Sequence, residues 1–210
     1  MSGFTDQRRE ALGQITDWAM FDLTKDRRVE FNYLKYWAPE GGKHGLDLGC
    51  GRRGTGLRWI TRVDLHQGEW TTAVGKTRWS TSEVVADISD LSWVETESQD
   101  YVISSHVLEH FRHPDHVIPE WIRVLRPGGR LGIVVPDATE RFSWEGHWID
   151  GGRNKGEDHL CDYTPWSMIR YFEEYKEYLR FLDMRRLFPS VSFGVIFEKK
   201  EEHPPYRRVN

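Results

Sequence analysis

The sequence predicts an α/β fold: a doubly wound, mainly parallel sheet with an antiparallel last strand, preceded by a helical appendage. Three observations predict it. From Gly45 onward, short apolar strands alternate with helical or loop segments, as crossovers between parallel strands require. Leu46-Asp47-Leu48-Gly49-Cys50-Gly51 reads as a buried strand running into a glycine turn. Near the C-terminus two strands share a short connection, which argues a hairpin and so an antiparallel strand in the sheet.

The elements follow in order. From about Thr5 to Trp37, apolar residues recur at helical spacing: Leu12, Ile15, Ala19 and Leu23, then Val29, Tyr33 and Tyr36. Pro39 and Gly41-Gly42 break this run. One or two helices are expected there, covering a crevice or packing on one face of the sheet, with packing favoured. Strand candidates are Gly45–Leu48, Arg62–Leu65, Glu83–Ala86, Tyr101–Ser104 and Arg130–Val135. A helix is expected over Pro114–Leu125, with Val117, Ile118, Trp121, Ile122, Val124 and Leu125 on one face. Asp115 and Glu120 near its start suit the helix dipole. Pro127-Gly128-Gly129 stops it and reverses the chain. A second helix covers about Pro165–Tyr175. Strands Tyr178–Asp183 and Val191–Lys199, joined by Arg185–Ser190, form the hairpin. The expected division is 1–42 for the appendage, 43–200 for the α/β domain, and 201–210, with Pro204-Pro205, for a mobile tail.

The 210 residues are 38% hydrophobic, enough to bury the core of one domain, and carry a net charge of −4. Arg52-Arg53, Arg185-Arg186 and Arg207-Arg208 are local pairs, and no basic groove signature for nucleic acid is present. Cys50 and Cys161 read as two reduced thiols. The first ten residues lack an apolar signal segment, and no apolar run nears the roughly 18 residues of a membrane span. A cytoplasmic location is expected. Ten tryptophans offer large aromatic walls for a core or pocket.

Four features carry chemistry, and all fall at the carboxyl ends of expected strands, where open α/β sheets bind ligands. Gly49 and Gly51 let a ligand approach the backbone, with Asp47 beside them. Asp64 ends the second strand, where a carboxylate accepts from both hydroxyls of a ribose. In Ala86-Asp87-Ile88-Ser89-Asp90, Asp87 suits the exocyclic amine of an adenine and Ile88 its ring. Asp100–His106 ends in polar groups. Taken singly, Asp64 and Asp87 are ordinary turn acids, and it is the series that points to a nucleoside.

The chain resembles the class I S-adenosylmethionine-dependent methyltransferases. The resemblance rests on the Leu46–Gly51 loop, Asp64, Ala86–Ser89, Ser105-His106-Val107-Leu108-Glu109-His110, Arg123-Val124-Leu125-Arg126-Pro127-Gly128-Gly129-Arg130-Leu131 and Val134-Val135-Pro136. It covers about residues 43–200. It implies a Rossmann-like seven-stranded sheet with an antiparallel last strand, S-adenosylmethionine as cofactor, and methyl transfer to an O or N atom of a small-molecule or glycan-like acceptor. The cofactor-binding residues are then Asp47, Gly49, Cys50, Gly51, Asp64, Leu65, Asp87, Ile88, Ser104 and Ser105. One departure stands out: only Arg52–Val63 separates the glycine loop from the strand-end acid. That is shorter than the spacing of a dinucleotide fold, which argues against NAD, and it leaves no room for a full helix.

In-line methyl displacement asks an enzyme mainly for positioning. A hydroxyl or protonated amine acceptor also needs a base near neutral pKa, which suits histidine. His106 at the strand end and His159 after the fifth strand are the catalytic candidates, with Glu109 and Tyr163 as lesser ones. The insert Phe142–Tyr163, flanked by Trp144, Trp148 and Trp166, reads as a substrate lid, with His147, Trp148 and Tyr163 as acceptor contacts. His106–His110 also matches His-x-x-Glu-His, a zinc hydrolase pattern. That pattern needs a continuous helix, so His110, His113 and His116 are read as cap and surface residues and no metal ligand is assigned. The alternatives are a cofactor-binding protein without turnover and, third, a zinc hydrolase. A homodimer is the oligomer allowed for.

Overall fold

The computed structural model describes residues 28–52, 54–71, 75, 77–112, 114–139, 159–188 and 192–205. A seven-stranded sheet runs in the order β5-β2-β1-β6-β7-β9-β8. Its strands are β1 Gly45–Leu48, β2 Ile60–Asp64, β5 Val84–Val85, β6 Gln99–Ser105, β7 Leu125–Pro136, β8 Leu179–Phe188 and β9 Ser192–Lys199. A separate two-stranded hairpin, β3 Gly68–Thr71 with β4 Thr77–Ser80, sits between β2 and β5 in the chain. The α-helices are α1 Arg28–Tyr36, α2 Ile118–Val124 and α3 Pro165–Phe172.

The sheet is the expected one. β1 is an inner strand parallel to β2 and β6, and β7 continues the parallel run. β9 pairs antiparallel with both β7 and β8. The topological switch lies at β1: the chain runs outward through β2 to β5 on one side and returns to β6 on the other, and there the strand ends open a crevice. Register aligns those ends: Leu48 stands opposite Val63 on one side and Ser104 on the other.

Some boundaries differ from the sequence expectation. Pro119 holds α2 to a start at Ile118, because its missing N–H and its ring oppose upstream helix, and Pro114–His116 forms a separate 3-10 turn. Glu120 does not merely face the helix dipole. It grips Arg123 at 3.0 and 2.9 Å, while Arg123 also donates to Val94 O and Leu91 O. β7 begins at Leu125, running through Pro127-Gly128-Gly129, because Gln99 pairs with Leu125 before a bulge shifts register. β8 absorbs most of the expected connection: Arg185 pairs with Gly194 and Arg186 with Phe193.

Two cores sandwich the sheet. The larger holds Leu46, Leu48, Val102, Ile133 and Val195 beneath the fully buried Trp121, whose Nε1 donates to Ile88 O at 3.0 Å. On the opposite face, Tyr33 and Leu34 of α1 pack on Tyr101, Ile103, Val134 and Ile196. Tyr101 Oη donates to Leu34 O at 2.7 Å and fixes the helix. α1 packs on this face, and its Glu30 and Phe31 also border the crevice at the strand ends. Residues 1–27, on which the rest of the expected N-terminal helix falls, lie outside the described residues.

Candidate functional site

A cleft of about 1330 Å³ opens over the carboxyl ends of β1, β2 and β6. Its floor is the glycine turn. Gly49 N and Cys50 N both donate to Val63 O, at 2.8 and 3.2 Å, bending the chain sharply off the end of β1. Gly49 has φ +73°, and a Cβ there would collide with Val107 Cγ2, so no other residue fits. Gly51, at φ +52°, has no atom within 4 Å of where a Cβ would stand, which leaves its backbone open.

Three polar groups tie the turn to its neighbours. Asp64 Oδ2 accepts from Gly51 N at 2.9 Å and from Ser80 Oγ at 3.1 Å. Thr81 N donates to Gly51 O at 2.9 Å. Asp47 Oδ2 accepts from Thr55 N at 3.0 Å. Burial lifts the Asp47 carboxyl from 3.8 to about 6, against the lowering pull of the Thr55 N–H and of Arg62; the Asp64 charge adds to the rise. Burial likewise pushes the Cys50 thiol up to about 11, so it stays protonated.

His106 closes the β6 side. It is the residue after the strand end and is held at φ +57°, a conformation rare for a residue with a Cβ. Its Nε2 lies 3.0 Å from Glu30 Oε1, and its Nδ1 lies 3.5 Å from Glu109 Oε1. Burial pulls its pKa down, but the facing carboxylates of Glu109 and Glu30 outweigh that and raise it from 6.5 to about 10. Glu30 Oε1 also accepts from Ser192 Oγ at 2.5 Å, so one carboxylate joins α1, β6 and β9.

Of the residues expected from sequence, Asp47, Gly49, Cys50, Gly51, Asp64, Ser105 and His106 line this cleft. Others lie elsewhere. Leu65 is exposed, and Ser104 is buried within the sheet. Ile88 is buried in the larger core, 5% exposed, rather than presented on a surface. Asp87 is exposed beyond the end of β5, its Oδ1 accepting from Ser89 N and Ser89 Oγ. Tyr163 is buried and bridges to Asp137 through its backbone. His159 stands beside Glu109, its Nε2 3.8 Å from Oε1. His147 and Trp148 lie outside the described residues.

The remaining wall went unread in the sequence. Glu30 and Phe31 come from α1; Glu69, Trp70, Thr77, Arg78 and Trp79 come from the β3–β4 hairpin. Trp70 pairs across the hairpin with Arg78, and Glu69 with Trp79. Trp70 also stacks on His66, with ring centroids 4.0 Å apart. The signal was present: Gly-Glu-Trp-Thr and Thr-Arg-Trp-Ser flank Gly75, two short runs about a glycine turn.

Comparison with known proteins agrees with this architecture. Residues 46–133 match the family described as a methyltransferase domain. A 35-residue stretch is 54% identical to an uncharacterized methyltransferase of Mycobacterium tuberculosis (strain ATCC 25618 / H37Rv), covering 17% of this chain and only 14% of that protein's length. Among solved structures, a putative S-adenosylmethionine dependent methyltransferase from Listeria monocytogenes superposes with TM-score 0.56 at 17% identity, covering 84% of this chain and all of that one. Burkholderia thailandensis 1,6-didemethyltoxoflavin-N1-methyltransferase, with bound 1,6-didemethyltoxoflavin and S-adenosylhomocysteine, gives 0.59 at 16% identity over 94% of this chain and 87% of that one. The [4+2]-cyclase SpnF gives 0.60 at 15% over 93% and 92%. Sheet order and glycine turn give the chain the Rossmann-like fold shared by S-adenosylmethionine-dependent methyltransferases, and residues 46–133 carry the match to a methyltransferase domain.

Proposed function

We propose that the chain transfers the methyl group of S-adenosylmethionine to an O or N atom of a small-molecule or glycan-like acceptor. The observation that carries this reading is the glycine turn, laced to Asp64 and opening on a cleft of about 1330 Å³. Pockets for one ligand typically span roughly 300–1,000 Å³, so there is room for cofactor and acceptor together.

The residues present suit the cofactor. Gly51 leaves open space where a Cβ would stand, and Asp64 keeps Oδ1 without a hydrogen bond among the described residues while Oδ2 holds the loop. That spare oxygen is the acceptor a ribose hydroxyl needs. Asp47 places a second carboxylate at the floor. Asp87 does not line the cleft; it stands exposed beyond β5, and a contact with the adenine would be made from there. Bound cofactor supplies a methyl group activated on a sulfonium. The chain's own contribution is orientation and exclusion of water, the terms that dominate a displacement.

The acceptor is assigned to the hairpin side, between Trp70, Trp79 and Arg78 and the Glu30–His106 pair. Aromatic faces and charged edges there suit a ring or sugar bearing hydrogen-bonding groups. Both ring nitrogens of His106 face carboxylates, so neither is open to take the acceptor's proton. His106 therefore acts as a positioning residue, not as a base. The Burkholderia structure, which holds a small heterocycle beside S-adenosylhomocysteine, supports the class of acceptor. The cyclase SpnF has the same fold, so a cofactor-binding protein without methyl transfer is the second reading.

Two measurements decide between them. Calorimetry should give saturable S-adenosylhomocysteine binding; none at millimolar ligand removes both readings. Incubation with S-adenosylmethionine and a library of phenols, sugars and heteroaromatic amines should then release S-adenosylhomocysteine. Binding without release against every acceptor leaves the second reading.

A further inference from the structure

The His-x-x-Glu-His stretch is not folded as the single helix a zinc hydrolase uses. His106 sits in left-handed backbone, and only Leu108–His110 forms a 3-10 turn. The turn nevertheless assembles a different group of donors. Glu109, His110 and His159 each offer a ligand atom, all within 4.8 Å of one another. Leu160 N and Cys161 N donate to Glu109 O at 2.7 and 3.0 Å, which pins the His159 segment against the turn. The rings of His110 and His159 meet edge to face, centroids 5.0 Å apart.

Glu109 is the second, independent observation. Its carboxylate is 1% exposed, yet among the described residues neither oxygen receives a hydrogen bond. His106 Nδ1, 3.5 Å away, supplies a compensating charge but no close hydrogen bond, so the buried oxygens keep lone pairs for a further donor or an ion. His159 Nε2 stands 3.8 Å from Oε1, too far for a hydrogen bond. A cation bonded to both at about 2.1 Å holds such atoms about 3.4 Å apart in tetrahedral geometry. The Glu109–His159 pair thus needs a closure of a few tenths of an ångström, and a pair at the 4.8 Å limit of the group would need about 1.4 Å, within reach of a rotation of the exposed His110 ring.

We propose that Glu109, His110 and His159 form a binding site for one divalent transition-metal ion beside the cleft. Two imidazoles and one carboxylate are the donor set of open zinc and related sites; magnesium and calcium favour oxygen alone. Three protein ligands leave a position for an oxygen donor, water or an acceptor hydroxyl. His106, which lines the cleft, lies 3.5 Å from the same carboxylate oxygen. The ion's role toward an acceptor rests on the methyl-transfer reading; its binding does not.

The test is a calorimetric titration of the chelator-treated full chain with Zn²⁺, repeated with Co²⁺ while visible ligand-field absorption is followed. One equivalent should bind, and the cobalt spectrum should report histidine coordination. His110 is exposed, so His110→Ala should fold normally and weaken binding tenfold or more; His159→Ala should do the same. Thermal unfolding of each metal-free variant verifies the fold, and His116→Ala, on the next turn, should bind as the wild type does. Absence of saturable binding, or wild-type affinity in both His110→Ala and His159→Ala, overturns the proposal. S-adenosylhomocysteine binding by the same sample separates its failure from failure of the methyltransferase reading.

Discussion

At the scale of single residues, two carboxylates divide the work at the cleft floor. Asp64 holds the glycine turn through Gly51 N and Ser80 Oγ. Asp64→Ala should cost about 1–3 kcal/mol in urea denaturation, because two donors lose their acceptor. It should also abolish measurable S-adenosylhomocysteine binding, whereas loss of stability with unchanged affinity would restrict Asp64 to holding the loop. Asp47 behaves in the opposite sense. Its folded pKa of about 6 lies above the ordinary 3.8, so the fold binds this proton more tightly than the unfolded chain. The stability it contributes is full below about pH 3.8 and is lost as pH rises through 6, by at most about 3 kcal/mol. Asp47→Asn keeps an acceptor for Thr55 N and has no proton to lose. Its advantage over the wild type should therefore grow from pH 4 to pH 7; equal stability at both pH values would contradict the burial argument.

At the scale of elements, legibility followed how local the determinants are. β1 was read residue for residue, because four buried positions meet a glycine that only the turn can demand. α3 was readable at its start, while its expected end at Tyr175 falls on a 3-10 turn, Glu173–Tyr175, beyond the α-helix's last residue, Phe172. Thr164 Oγ1 accepts from Ser167 N, Ser167 Oγ accepts in turn from Thr164 N, and Pro165 follows the cap. The β3–β4 hairpin was missed although its glycine and tryptophans were visible, because a helix is the usual occupant between parallel strands. Ile88 shows the other limit. Nothing in Asp-Ile-Ser tells a side chain meeting a ligand from one meeting Trp121's neighbours in the core. The hairpin also supports a functional test. Trp79 is 50% exposed, so Trp79→Ala should move stability by no more than about 0.5 kcal/mol. Once an acceptor is found, its KM should rise about tenfold with S-adenosylhomocysteine affinity unchanged; an unchanged KM would move the acceptor off the hairpin.

At the scale of the whole molecule, the cleft is a joint product of both faces of the sheet. The larger core sets the strand ends, and α1 on the opposite face brings Glu30 to His106 and Ser192. Leu34 is fully buried between α1 and the sheet. Leu34→Ala should cost about 2–5 kcal/mol by cavity formation. If α1 is integral to the cleft, the same change should weaken ligand binding; undiminished binding would make α1 a scaffold alone. Ligand and fold are linked in the other direction too. S-adenosylhomocysteine at 100 times its dissociation constant should stabilise the protein by about 2.7 kcal/mol, read as a rise in unfolding temperature.

The short passage from β1 to β2 has a kinetic consequence. Parallel strands normally wait for a helical crossover before they can meet, which makes parallel sheets slow to form. Here Gly45 already pairs with Ile60, with no helix among the described residues between them. The loop-closure entropy for this pair is small, so β1 and β2 are placed to associate first and to template β6. Val63→Ala, at the β1–β2 contact, should then slow refolding in stopped-flow experiments. Val195→Ala, on late-arriving β9, should chiefly speed unfolding.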